Sequence, residues 1–123
     1  MERAQTSVAV LVVEDEALIR MMFEDVLLEL GHSIAAQASD LATGLTFAKE
    51  RDYRLAILDV NLSGRPAFPI ADVVRARGKA LLFVTGYGSA GLAADYKGAA
   101  VLQKPFTEMQ LSSAISSVLA GRS

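Results

Sequence analysis

Four apolar runs in this chain each end on side chains that handle charge. Val8–Val13 runs into Glu14-Asp15, Leu55–Leu58 into Asp59, Ala80–Val84 into Thr85, and Ala100–Gln103 into Lys104-Pro105. If the runs are parallel strands, these residues share one edge of one sheet, the edge where open α/β folds bind ligands. Carboxylates gathered there repel: two charges about 4 Å apart cost roughly 4 kcal/mol at an effective dielectric near 20. Either a raised pKa or a bound cation relieves that repulsion. Glu14, Asp15 and Asp59 converge with no His or Cys nearby, so the donors are all oxygen. Such a set favours a hard cation, and Mg²⁺ suits a partly hydrated site with few carboxylates. Taken alone, Glu14-Asp15-Glu16 also reads as a favourable start to a helix through its dipole. Asp59, ending a second central strand, tips the balance toward a site.

Thr85 and Lys104 add a second requirement. A hydroxyl and an ammonium beside carboxylates do little for a metal alone, but they suit an arriving anion. A phosphoryl group on Asp59 would present three acceptor oxygens to Lys104, Thr85, the metal and backbone amides. Lys104 equally suits a salt bridge to Asp59, and the two arrangements can follow one another, bridge first and phosphoryl contact after. Pro105 is expected to give the peptide an unusual geometry that aims Lys104 inward, since X-Pro bonds can be cis.

The elements that would position these residues alternate from end to end. After the first strand, Ile19, Met22, Phe23, Val26, Leu27 and Leu30 line one face of a helix at 3.6-residue spacing, and Gly31 stops it. Ser33–Ala38 is a weaker strand. Asp40 caps a second helix over Leu41–Lys49, and Leu55–Leu58 is the third strand. Ser63–Pro69 reads as a loop, with Pro69 in the first turn of a short helix ending at Arg77-Gly78. Ala80–Val84 is the fourth strand. A weak, glycine-laden helix is expected between Gly86 and Gly98, since each interior glycine costs roughly 1 kcal/mol against alanine. Ala100–Gln103 is the fifth strand. Thr107-Glu-Met-Gln110 is a capping box opening a last helix, with Leu111, Ala114, Ile115, Val118 and Leu119 on one face. Five β-α units with right-handed crossovers predict an α/β three-layer sandwich, a five-stranded parallel sheet in the flavodoxin-like order 2-1-3-4-5.

The 123 residues fit one domain with a real core. We expect a short polar tail over residues 1–6 and one unit over 7–120, with no effector domain. The net charge of -2, without dense Lys and Arg, argues against a nucleic-acid surface. No cysteine is present, which excludes disulfides and thiol chemistry and fits a cytoplasmic setting. The first apolar run is too short for a signal peptide or a membrane span.

At the residues of the acidic edge the chain resembles a response regulator receiver domain of two-component signalling, over about Val8 to Leu119. The motifs are short but jointly specific: Val-Val-Glu14-Asp15-Glu, Leu-Asp59-Val-Asn61-Leu, Val-Thr85-Gly86 and Gln-Lys104-Pro105-Phe. The resemblance implies that Asp59 takes a phosphoryl group from a histidine kinase or phosphotransfer protein. It implies Mg²⁺ held by Asp15 and Asp59, by Glu14 through water and by the Asn61 carbonyl. Thr85 would be the switch hydroxyl and Lys104 the phosphoryl-contacting cation. Partners would be the kinase and a downstream protein target, with the chain a monomer or weak dimer. The family usually carries Tyr or Phe three residues before the lysine, where Val101 stands. Tyr87 appears instead in Phe83-Val-Thr85-Gly-Tyr87-Gly88, resembling a stand-alone subgroup linked to stress signalling in α-proteobacteria. Tyr87 is therefore the expected mobile aromatic.

Other signals carry less. Gly86-Tyr-Gly88-Ser-Ala-Gly91 matches a dinucleotide fingerprint but lacks its downstream acid. His32 reads as a loop or packing residue, Met21 and Met22 as surface and core of the first helix, and Arg75 and Arg77 as complements to the dipole of the third. Two rival readings remain. A haloacid-dehalogenase-like phosphatase would want an acid where Asn61 stands. A pseudo-receiver scaffold would take no phosphate at all.

Overall fold

The computed structural model describes residues 7–86 and 91–121. Strands β1 (Ala9–Val13), β2 (Ser33–Ala38), β3 (Leu55–Asp59), β6 (Ala80–Thr85) and β7 (Ala100–Gln103) form one parallel sheet in the order β2-β1-β3-β6-β7. That is the predicted 2-1-3-4-5 arrangement in a flavodoxin-like α/β fold. A short antiparallel pair, β4 (Asn61–Leu62) and β5 (Arg65–Pro66), lies beside the sheet's third strand in sequence. The helices are α1 (Ala17–Glu29), α2 (Leu41–Glu50), α3 (Phe68–Ala76) and α4 (Glu108–Leu119).

Strand periodicity divides the core in two. Val10 and Val12 pack with Phe23, Leu27, Leu111 and Ile115 on the α1/α4 side, while Leu11 and Val13 pack with Ile70, Val74 and Phe83 on the α2/α3 side. Every residue of β3 is buried, as a central strand covered on both faces requires. The helix termini follow the sequence signals. Asp40 accepts from the Thr43 amide at 2.7 Å. Thr107 and Gln110 make both bonds of the capping box. Gly31 and Gly78 follow their helices at φ +90° and +72°, where a side chain would be strained.

Some details depart from expectation. The stretch Ser63–Pro69 is not simply a loop: Ser63 (φ +53°) and Gly64 (φ +89°) are the central residues of a tight turn between β4 and β5. The helix expected between Gly86 and Gly98 is absent from residues 92–98, which contain a 3₁₀ turn at Ala94–Tyr96; Tyr87–Ala90 lie outside the described residues. Side chains anchor this segment instead. Tyr96 is buried, its ring stacked on Phe68 at 5.6 Å and edge-on to Phe83 at 5.3 Å, and its hydroxyl donates to Asp72 Oδ1 at 2.6 Å.

Arg75 and Arg77 also reach beyond their own helix. Arg75 lies over the Tyr96 ring and donates to the Asp95 carbonyl. Arg77 donates to the carbonyls of Ala48 and Arg51 at 2.7 and 2.8 Å, capping the end of α2. His32 is buried, its Nδ1 accepting from the Val8 amide at 3.1 Å. Burial holds its pKa below the usual value. Gly44 marks the closest approach of α2 to the core: a Cβ there would stand 2.7 Å from Ile70 Cδ1 and 3.0 Å from Val13 Cγ1.

Candidate functional site

The parallel order carries the C-terminal ends of β1, β3, β6 and β7 to one rim, with Glu14-Asp15, Asp59, Thr85 and Lys104 at or just past them. Carboxylate oxygens of Glu14, Asp15 and Asp59 all lie within 4.8 Å of one another. Asp15, Asp59, Asn61, Thr85, Gly86 and Lys104 line one cleft of about 700 Å³. The Lys104-Pro105 peptide is cis. Tyr87 lies outside the described residues.

Lys104 is the positive centre of this rim. Its Nζ stands 3.3 Å from Glu14 Oε1, 3.3 Å from Asp59 Oδ2 and 3.1 Å from Glu16 Oε1. The expected bridge to Asp59 is therefore present, shared with two further carboxylates. Burial alone would lower the Lys104 pKa, but the charges of Glu14 and Asp59 outweigh it and push the pKa up to about 12.

The acids occupy different environments. Glu14 is fully buried. Its Oε2 accepts from the Glu16 amide at 3.1 Å and from Lys104 at 3.4 Å. Its Oε1 sits at ion-pair distance from Lys104 but has no hydrogen-bond donor. Burial, reinforced by the charge of Asp59, raises the Glu14 pKa to about 8 despite the Glu16 amide and Lys104. Asp59, also buried, is raised by the same desolvation, against the opposing pull of the Asn61 amide and Lys104. Asp15 is more open. Partial burial works against its charge, but hydrogen bonds led by Ser63 hold its carboxyl below the usual range. The Ser63 amide and hydroxyl both donate to Asp15 Oδ2, at 3.0 and 2.8 Å.

Asn61 spends its side chain on the turn: its Oδ1 accepts from the Gly64 amide at 2.7 Å. Its own amide donates to Asp59 Oδ1 at 3.2 Å. Thr85 is buried at the end of β6. Sequence reasoning missed Ser63, the contact from Glu16 to Lys104, and Arg20, whose guanidinium donates to the Glu14 carbonyl at 2.7 Å. The Ser63-Gly64 dipeptide, a common turn pair, was the one available signal for the first of these.

The donor set suits a hard divalent cation. All atoms are oxygen, one buried oxygen lacks a hydrogen-bond donor, and the acids are packed closely enough for one ion to relieve their repulsion. The site also suits phosphoryl acceptance, with a carboxylate, a hydroxyl and an ammonium around one cleft.

A doubly wound sheet with this rim defines the receiver class of signalling modules. The chain belongs to the response regulator receiver domain family, whose sequence profile matches residues 10–116. It is 29% identical over 118 residues to the probable chemotaxis protein CheY of Rhizobium etli, covering 90% of this chain and 92% of that protein. It is 33% identical over 110 residues to the transcriptional regulatory protein PdtaR of Mycobacterium tuberculosis, covering 86% of this chain and 54% of PdtaR, so it spans about half of that relative's length. The solution structure of SdrG from Sphingomonas melonis Fr1 superposes with a TM-score of 0.79 at 34% identity, covering 96% of this chain and 99% of SdrG. Receiver domains are in general signalling modules rather than enzymes. Among the described residues no helix is long and apolar enough to cross a membrane.

Proposed function

We propose that this chain is a phosphorylation-dependent switch in which Asp59 accepts a phosphoryl group from a histidine kinase or phosphotransfer protein. The observation that carries the reading is the placement of Asp59 and Lys104 in one cleft with Asp15 and Thr85, with a buried Glu14 oxygen within 4.8 Å of those of Asp15 and Asp59. A carboxylate oxygen of Asp59 attacks phosphorus, the P–N bond of the donor phosphohistidine breaks, and the leaving imidazole recovers a proton. The product is an acyl phosphate; water reverses it to Asp59 and inorganic phosphate.

Asp15 and Asp59, the Asn61 carbonyl and, through water, Glu14 would hold Mg²⁺. When bound, the ion supplies positive charge that offsets the carboxylates and the phosphoryl oxygens. Lys104, already neutralising Asp59 at 3.3 Å, exchanges that carboxylate for the phosphoryl group. Thr85 offers its hydroxyl to the same group, and Gly86 leaves the approach open, with no atom near the position a Cβ would take. Asn61 cannot serve as a general acid, since a carboxamide carries no proton that titrates near neutral pH; its Oδ1 instead accepts from the Gly64 amide.

Phosphorylation then biases the surface from β6 to α4, and output runs through contacts with a protein target. Tyr87 is proposed as the reorienting aromatic, and the Phe83–Gly88 signature supports a role in stress signalling. A cytoplasmic monomer or weak dimer fits this role. The test is incubation of the protein with acetyl phosphate and Mg²⁺, read by intact mass. The parent should gain one phosphoryl group, and Asp59→Ala or added EDTA should abolish the gain. Equal labelling of Asp59→Ala would remove Asp59 from its role. Long persistence of the phosphate argues for regulation of a target, and rapid return to histidine for a shuttle.

A further inference from the structure

We infer that Ser63 is a positioning residue for Asp15, holding that carboxylate in the cation site through the turn that follows the acceptor strand. The inference rests on the metal-dependent reading above and deepens it.

Asp15 is the least buried of the three clustered acids. Glu14 and Asp59 offer oxygens within 4.8 Å, while Asp15 has open solvent on its other side. Without a fixed partner, its side chain would be free to rotate outward into water. What opposes this in the described contacts is Ser63, which gives Oδ2 both a main-chain and a hydroxyl hydrogen bond, at 3.0 and 2.8 Å. Two donors converging on one oxygen fix the rotamer, and they do so from an element anchored to the site. Asn61 bridges its own turn and the acceptor, binding the Gly64 amide at one end and Asp59 Oδ1 at the other. The turn thus ties Asp15 and Asp59 together from residues 61–64.

The backbone supplies an independent sign. Ser63 has φ +53°, a left-handed conformation in which glycine, asparagine and aspartate are favoured. Glycine would relieve the strain at this position but would lose the hydroxyl. Partners that orient metal-binding carboxylates typically change metal affinity 10–100-fold when removed. Ser63 is exposed and its amide donor survives substitution, so the low end, about tenfold, is expected.

Strain and hydroxyl make opposite demands, which separates a positioning role from a structural one. Mg²⁺ affinity is measured by titration calorimetry, and metal-free stability by melting in EDTA, for the parent, S63A, S63G and S63T, with D15A as the site control. S63A and S63G should both bind Mg²⁺ about tenfold more weakly, although S63G melts at or above the parent temperature. S63T should melt lower, from β-branching at positive φ, yet keep near-parental affinity. Parental affinity in S63A and S63G overturns the inference. So does affinity that follows melting temperature across the series. If the parent binds Mg²⁺ and Asp59 is phosphorylated while S63A is indistinguishable from it, only this inference falls. A parent that binds no Mg²⁺ removes both this inference and the metal-dependent reading.

Discussion

Replacing Glu14 by glutamine should make the metal-free protein more stable while weakening its response to Mg²⁺. Glu14 is fully buried, and one of its oxygens has no hydrogen-bond donor. Its pKa rises from 4.5 to about 8 because burial penalises the charge more than the Glu16 amide and Lys104 support it. Between those values the folded state holds a proton that the unfolded state has released. The folded state therefore binds more protons, and stability falls as pH rises from 4.5 toward 8. At pH 7 the interval above 4.5 corresponds to about 3 kcal/mol, at 1.36 kcal/mol per pH step. Glutamine keeps an acceptor for the Glu16 amide and carries no titrating proton. Its amide nitrogen next to Lys104 gives back part of the gain, leaving about 2 kcal/mol, or roughly 6 °C in melting temperature for a domain of this size. Urea and thermal unfolding in EDTA, from pH 4.5 to 8, would show a falling curve for the parent and a flatter one for Glu14→Gln. Saturating Mg²⁺ should raise the parent more than the variant. A variant less stable than the parent at pH 7 in EDTA, or two curves that run parallel, would refute the reasoning.

Two further substitutions test the packing that frames the site. Gly44→Ala gains about 1 kcal/mol of helix propensity, but its Cβ would press on Ile70 and Val13. Overpacking costs typically about 1–3 kcal/mol, so urea unfolding should show a net loss, and a gain in stability would show that α2 has room to move. Tyr96→Phe keeps the stack on Phe68 but removes the bond to Asp72. Because Asp72 is exposed, the loss should be about 1 kcal/mol in denaturant unfolding, and no loss would mean that water replaces the phenol without penalty.

The strands and the site rim were legible because both depend on local patterns that tertiary structure does not override. Val8–Val13 and Leu55–Leu58 are apolar enough to be central strands wherever they lie, and parallel order then forces their polar ends onto one edge. Caps at Asp40 and Thr107 were equally local. What stayed hidden depends on long-range contact. Nothing near Gly44 in sequence signals that Ile70 and Val13 leave no space for a side chain there. Arg77 read as a partner of its own helix dipole, but its two carbonyl partners come from α2 and the residue after it. Tyr96 looked like one residue of a weak helix; it ends the 3₁₀ turn Ala94–Tyr96, and its burial against Phe68 and Phe83 fixes that turn on the fold. In the acidic rim, sequence showed which charges meet, but not that Ser63 would grip Asp15 or that Lys104 would serve three carboxylates at once.

The grip of Arg77 on the last carbonyls of α2 has a mechanical meaning. Both helices run back from the reactive rim, so this fastening lies at the foot of the sheet, far from the carboxylates. Two staves bound at the base resist sliding past one another. The α2/α3 layer is therefore fastened twice, by Arg77 at the foot and by the close fit of Gly44 against Ile70 and Val13 nearer the rim.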